Sequence, residues 1–329
     1  VNRFETSGRM MLLTLLTACC FSGGAAADDV AYRSALAKAV RAAANRVLPA
    51  VVTVEIIGTG GPASGEVEQD APTSGVIVDA DGYILASSIV VRRPSASILV
   101  VLADGSRHTA KVVARDHHRD LVLLRIKTDH ALVAVELVGN PDLPIGATTI
   151  AVGRYGTGAS PIISRGVLSA RERLNGIAIQ TDARVSPAFY GGPLLDLYGN
   201  LLGILIPAVA EGGAPDATSW YDSGIAFAIP TEVIVNKLDR LKAGEDIKKG
   251  LIGIVAKSRD PIANGTEIAA VRIRSPAESA GIKAGDEVIS VAGKPVQRHQ
   301  EIRQVLGTFD AGETIKLKLR RGDKEIDVE

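Results

Sequence analysis

Aromatic residues are scarce in this 329-residue chain: five Phe, six Tyr and one Trp make up 4% of it. With 46% of residues hydrophobic, packed cores must come mainly from Val, Ile, Leu and Ala. An excess of either charge is missing too. Lys and Arg number 37, as do Asp and Glu, which argues against a nucleic-acid or polybasic membrane surface. No strong block of like charge occurs. The only two cysteines, Cys19 and Cys20, lie near the N-terminus, so a chain processed before Asp28 has none and needs no disulfides. The apolar run from Met10 to Phe21 is too short to span a bilayer.

That run does fit an export signal. Arg3 and Arg9 precede the apolar stretch, and Ser22-Gly23-Gly24-Ala25-Ala26-Ala27 supplies small residues before Asp28. Ala25-Ala26-Ala27 suits a signal-peptidase site, which makes 1–27 a signal peptide. A rival reading exists. Leu16-Thr17-Ala18-Cys19 resembles a bacterial lipobox, which would make Cys19 a lipid anchor. Simple cleavage is favoured, and both readings place the protein in the periplasm or cell envelope. Membrane contact follows only from lipidation.

The length suggests two or three domains. Residues 30–48, rich in Ala, Arg and Lys with apolar spacing near three and four, predict an amphipathic helix ending about Pro49. Ala50 to Ile57 reads as a strand, and a Gly/Pro/Ser loop runs on to Thr73. From there to about Ala228, short β-branched runs alternate with turn signals such as Asp79-Ala80-Asp81-Gly82 and Leu197-Tyr198-Gly199-Asn200. That spacing predicts an all-β barrel or sandwich. Thr231 to Lys242 predicts a helix, and Ala243-Gly244-Glu245-Asp246 a linker.

Three separated segments sharpen this reading. Thr181-Asp182-Ala183-Arg184-Val185-Ser186-Pro187-Ala188-Phe189-Tyr190-Gly191-Gly192-Pro193-Leu194 resembles the nucleophile loop of HtrA/DegP-type serine proteases, T-D-A-x-I-N-P-G-N-S-G-G-P-L. Ser74 to Leu85 resembles the family's S-G-x-I-x-D-x-D-G-Y-I-L, which leads to the catalytic histidine. Asp120-Leu121-Val122-Leu123-Leu124-Arg125-Ile126 resembles D-L-A-L-L-x-I. Gly224 to Pro230 is also similar to the family's G-I-G-F-A-I-P. Further on, Lys249-Gly250-Leu251-Ile252-Gly253-Ile254 resembles the opening of the family's PDZ domain, and Ser275 to Ile289 resembles S-P-A-x-x-A-G-[IL]-x-x-G-D-x-[IV]. The resemblance covers nearly all of 30–329. It implies a mostly β protein: a chymotrypsin-like double β-barrel over 28–243, then an α+β PDZ domain over 246–329.

The resemblance also aligns the triad, in the order base, aspartate, nucleophile, with Ile89, Asp120 and Tyr190, and the oxyanion loop with Ala188 and Phe189. Isoleucine moves no proton, and a phenol with pKa near 10 is a poor nucleophile without a base. Loss of the base or the serine alone costs roughly a million-fold in such enzymes. No intact catalytic residue is therefore expected, and the sequence reads as a pseudoprotease, not an enzyme. Asp120, deprived of an imidazole, needs a new donor such as Ser87, Ser88, a local N–H or water. Phe189 and Tyr190 are expected to fill the vacated cleft. His117 and His118 read as loop residues that do not chelate together.

The implied work is peptide binding, in a chaperone-like or regulatory role. Leu251, Ile252, Gly253 and Ile254, with Ile302 from the second PDZ helix (about Gln297 to Leu306), form the expected site for unfolded or C-terminal peptide segments. His299, at the start of that helix, reads as solvated. Alternatives are a weak or unconventional endopeptidase of envelope protein quality control, and a scaffold subunit assembled with active relatives. The family implies a trimer, so a homo- or hetero-oligomer is expected. No cofactor, metal or nucleic acid is expected.

Overall fold

Runs of Val, Ile and Leu between tight Gly and Asp turns close into two antiparallel six-stranded barrels. The computed structural model describes residues 29–58, 71–92, 97–138, 142–155, 161–207, 224–258, 260 and 264–329. The expected export segment and its Cys19 alternative lie outside these residues. A helix, α1, covers 29–47, and a 3₁₀ turn over Leu48–Ala50 with Pro49 inside it ends the run.

The first barrel holds β1 (Val51–Ile57), β2 (Thr73–Asp79), β3 (Tyr83–Ser87), β4 (Ser97–Val101), β5 (Arg107–Asp116) and β6 (Leu121–Arg125). It closes in the order β1-β2-β3-β6-β5-β4. The second holds β7 (Thr148–Arg154), β8 (Pro161–Glu172), β9 (Ala178–Thr181), β10 (Pro193–Leu195), β11 (Leu201–Ile206) and β12 (Ala226–Pro230). Its order is β10-β11-β12-β9-β8-β7. The β2–β3 hairpin turns where Gly82 N–H bonds Asp79 carbonyl and Asp81 N–H bonds the Asp79 carboxylate. That register aligns Val76 with Leu85 and Gly75 with Ala86, and it sets where β3 ends.

The largest fully buried side chains, among them Ile77, Ile84, Leu85, Leu121, Leu123 and Leu124, are all Ile or Leu. A chain poor in rings thus packs its barrels with branched aliphatics. Ser74 stitches the barrels together: its hydroxyl donates to the Ala188 carbonyl at 2.7 Å and accepts from Arg154 N–H at 2.9 Å. The Arg154 side chain reaches back to the carbonyls of Val51 and Leu48 at 2.8 and 2.9 Å.

Helix α2 (Thr231–Lys242) leaves the second barrel with Ile234, Leu238 and Leu241 buried. The PDZ domain follows. Strand β13 (Ile254–Ala256) pairs with β14 (Ile268–Val271), and a four-stranded sheet runs β16-β15-β17-β18. These four strands are β15 (Glu287–Val291), β16 (Lys294–Pro295), β17 (Leu317–Arg321) and β18 (Lys324–Val328). A one-turn helix, α3 (Pro276–Ser279), is capped by the Ser275 hydroxyl accepting from Glu278 N–H. Helix α4 (His299–Leu306) completes the domain, starting two residues later than the sequence suggests. The double barrel plus PDZ architecture is the one expected.

Candidate active site and peptide groove

Where β3 ends, the chain enters a 3₁₀ turn, Ser88–Val91, that carries Ile89 half-buried against the barrel core. The Ser87 hydroxyl caps this turn, accepting from Ile89 N–H at 3.3 Å and donating to Asp120 Oδ2 at 3.3 Å. Asp120 sits just before β6 with φ of 57°, and its carbonyl takes Ser88 N–H at 2.8 Å. One Arg92 guanidinium nitrogen bridges both Asp120 oxygens at 3.0 Å. Burial pushes the Asp120 carboxyl above the usual range, against the pull of Arg92 and Ser87. Ser87 was among the donors expected. Arg92 was missed, although it is the first cation after Ile89 and lies three residues on, one turn of a 3₁₀ helix away.

The loop at Ser186–Gly192 closes on itself. Phe189 N–H bonds Ser186 carbonyl, Tyr190 N–H bonds Pro187, Gly191 N–H bonds Leu205 and Gly192 N–H bonds Phe189, at 2.7–3.1 Å. Four successive donors are thus engaged. Gly191 has φ of 84°, and a Cβ there would stand 2.3 Å from Ser74 carbonyl oxygen and 2.8 Å from Ser87 nitrogen. Only glycine lets the loop press this closely on the end of β3. This contact sets the residue after Tyr190 against Ser87, which caps the Ile89 turn and bonds Asp120. Ala188, Phe189 and Tyr190 are all buried, Tyr190 with 4% exposed. Burial raises the Tyr190 phenol above its ordinary pKa, so the ring stays protonated at neutral pH. Asp120 here faces a guanidinium and a hydroxyl, Ile89 offers no proton acceptor, and Tyr190 is a buried neutral phenol.

The PDZ loop is in the opposite state. Among the described residues, no hydrogen bond engages the N–H of Leu251, Ile252 or Gly253. Two of their carbonyls are held instead: Ile252 accepts from Ala277 N–H at 2.9 Å and Gly253 from Arg272 N–H at 2.8 Å. Gly253 has φ of 91°, and a Cβ there would meet Ser275 Cβ at 2.3 Å. Leu251 is 73% exposed, while Ile252 and Ile254 pack partly against the PDZ core. Ile254 pairs with Val271 in β14. Ile302 lies in that core with 2% exposed. His299, expected in solvent, is buried, and burial lowers its pKa. At the start of α4 its ring bonds the Glu267 backbone, out of water.

The two adjacent histidines part company as alternation suggests. His117 is half exposed and lies 3.6 Å from Asp246, whereas the His118 side chain is 2% exposed and bonds Asp310 of the PDZ domain at 2.8 Å. His118 is therefore no ordinary loop residue. The contact spans 192 positions, and no local pattern announces it.

Two family models match the chain: a trypsin-like peptidase domain over residues 73–204 and a PDZ domain over residues 250–329. The periplasmic pH-dependent serine endoprotease DegQ of Escherichia coli (strain K12) is 32% identical over 318 residues, which cover 86% of this chain and 68% of that protein. The chain belongs to the HtrA/DegP family. The periplasmic serine endoprotease DegP of the same strain is 33% identical, with 82% of this chain and 59% of that protein covered. The chain thus spans about three fifths of DegP. Among solved structures, the HtrA-type protease AlgW with a tripeptide superposes with a TM-score of 0.68 at 26% identity, covering 88% of this chain and 95% of AlgW.

These relatives correct one expectation. The sequence reading that this is not an enzyme rested on two side chains, Ile89 and Tyr190. DegP and DegQ are named serine endoproteases, and that membership points to protease activity. Two positions bear on how a peptide bond is attacked; they do not fix which reaction the family performs. The relatives are also periplasmic, in keeping with an exported chain.

Proposed function

We propose that this exported HtrA-family protein holds unfolded or C-terminal peptide segments through its PDZ domain, in a chaperone-like or regulatory role. The observation that carries this reading is the unengaged N–H run at Leu251, Ile252 and Gly253. Successive N–H groups in a concave turn suit a carboxylate, and an adjacent strand edge suits an extended backbone. The relative AlgW has been solved with a tripeptide, which supports peptide as the ligand class. Exposed Leu251, with aliphatic Ile252 and Ile254, favours an apolar last residue. Assembly as a homo- or hetero-oligomer with family members is part of the same proposal.

In this reading, the cleft residues Ile89 and Tyr190 leave no base–serine pair at the family's positions. A second reading, an unconventional serine endopeptidase of envelope protein quality control, is favoured by the names of the relatives. It requires hydrolysis to draw on groups other than those two. Full-length protein with fluorescent peptides ending in a free acid or an amide tests the first. Casein digestion with a fluorophosphonate probe, run in parallel, tests the second. Equal affinity for acid and amide would remove the carboxylate-capture proposal. Absence of cleavage and of labelling would remove the endopeptidase reading.

A further inference from the structure

Asp310 lies in the PDZ segment after α4, yet its side chain is wholly buried among groups from outside that domain. His118 Nδ1 and Arg119 Nη1 each stand 2.8 Å from Oδ1, and Lys237 Nζ of α2 stands 2.7 Å from Oδ2. Arg119 also pairs with Asp116 at 3.0 Å. Glu313, about a third exposed, pairs with Lys237 at 2.8 Å and accepts from Asp310 N–H at 2.9 Å. Further out, and a third or more exposed, are Arg240, Glu245 and the His117–Asp246 pair. Backbone bonds run alongside: His117 N–H to Ile247 carbonyl, Ile247 N–H to Arg115, and Ala311 N–H to Lys248, at 2.8–2.9 Å. The barrels and the PDZ domain are clamped through this cluster.

Burial and a shared carboxylate oxygen single out one group in the clamp. The buried carboxylates Asp116 and Asp310 face Arg119 and Lys237, and Lys237 is shared with Glu313 at 2.8 Å. His118 completes the cluster as a neutral ring whose Nδ1–H donates to Asp310. A second proton on its ring would set a buried imidazolium beside Arg119 on the same Asp310 oxygen, where only 2% of the side chain reaches water. We propose that His118 makes the docking of the PDZ domain on the barrels sensitive to protons: the neutral ring holds the clamp and the imidazolium loosens it.

The direction follows from burial. Desolvation, set against the attraction of Asp310, holds His118 below its ordinary pKa in the docked state, whereas an undocked His118 titrates in the ordinary range. Docking is full above that range and weakens as pH falls through it, by up to about tenfold per pH unit for one proton. Asp310 stays ionised throughout, since the cations around it lower its carboxyl to about 2. Acid therefore acts on the histidine first. Undocking would swing the Leu251–Gly253 loop away from its fixed orientation to the cleft.

The test is energy transfer between dyes on Ala103→Cys in the first barrel and Asp323→Cys in the PDZ domain, both exposed, in the full chain with Cys19 and Cys20 changed to Ser. With the native histidine, transfer should hold one value near pH 7.5 and change between about pH 6.5 and 5. His118→Asn and His118→Gln, which keep a donor but take no proton, should stay docked over the whole range. His118→Lys should be undocked already near pH 7.5, as should Asp310→Ala, which shows that the dyes sense release. A flat native profile would overturn the proposal, as would an unchanged acid transition in both neutral variants. Undocking of both neutral variants at every pH would place the effect on the contact, not the proton, and would overturn it equally.

Discussion

The loops at Phe189–Gly192 and Leu251–Gly253 both turn through a glycine of positive φ, at Gly191 and Gly253, and both carry successive backbone N–H groups. In the first, all four donors bond carbonyls of the protein; in the second, no described acceptor takes any of the three. The first is buried between barrels beneath Phe189 and Tyr190, and the second carries a largely exposed Leu251. A backbone donor can receive an incoming anion only if it has no partner already. Of two loops built with similar means, it is the PDZ loop whose donors are open, as the proposed carboxylate capture requires.

Two buried carboxylates show a parallel contrast. Asp120 has one guanidinium and one hydroxyl, and burial wins, so its pKa rises. Asp310 has three close cationic or donor side chains, and these outweigh its burial. How many donors surround a buried acid decides which way it titrates.

Removing the better-served acid should have the largest effect. Asp310→Ala leaves buried Arg119 with Asp116 alone and Lys237 with part-exposed Glu313 alone, and should cost about 3–5 kcal/mol in urea unfolding. In the native protein the Asp310 contribution should be present above the ordinary carboxylate range. It should vanish as pH falls from there towards 2, which acid titration of stability would follow.

The two glycines come next and separate the loops by what each change damages. Gly191→Ala meets a backbone oxygen and a positive φ, and should cost about 2–4 kcal/mol of stability. The folded fraction should keep its peptide affinity. Gly253→Ala also meets a fixed atom, Ser275 Cβ, at a positive φ, and beyond its stability cost it should lower the peptide affinity of the folded fraction by tenfold or more, read by fluorescence polarisation. If Gly191→Ala weakened peptide binding as much as Gly253→Ala, the two loops would not differ in role.

Smaller effects are expected at Asp120. Arg92→Ala should cost about 1–3 kcal/mol, because Ser87 alone then serves the carboxylate. Asp120→Asn should lie within about 1 kcal/mol of the native protein. Its relative stability should improve with rising pH, since a raised carboxyl pKa penalises the ionised native state above that pKa. Thermal melts of both variants from pH 4 to 8 would check the sign.

Much of this architecture is readable from local pattern. The Asp79-Ala80-Asp81-Gly82 hairpin, the Thr231–Lys242 helix and the glycines at 191 and 253 are set by spacing and backbone conformation over a few residues. The positions that escaped are those whose partners lie far along the chain. Arg92 meets Asp120 across 28 residues, and Arg119 meets Asp310 across 191. The burial of His299 likewise depends on how the PDZ domain packs, not on its helix-start position. The reading of Ile89 and Tyr190 as proof of an inactive protein failed differently, by drawing a whole activity from two side chains.

The most direct test of the account is the affinity of the full-length protein for one apolar-ended peptide, measured with a free C-terminal carboxylate and with an amide. The free acid should bind at least about tenfold more tightly, or ~1.4 kcal/mol, and Gly253→Ala should erase the difference. Equal binding of acid and amide by the folded native protein would contradict the assignment of the Leu251–Gly253 loop as the carboxylate receiver.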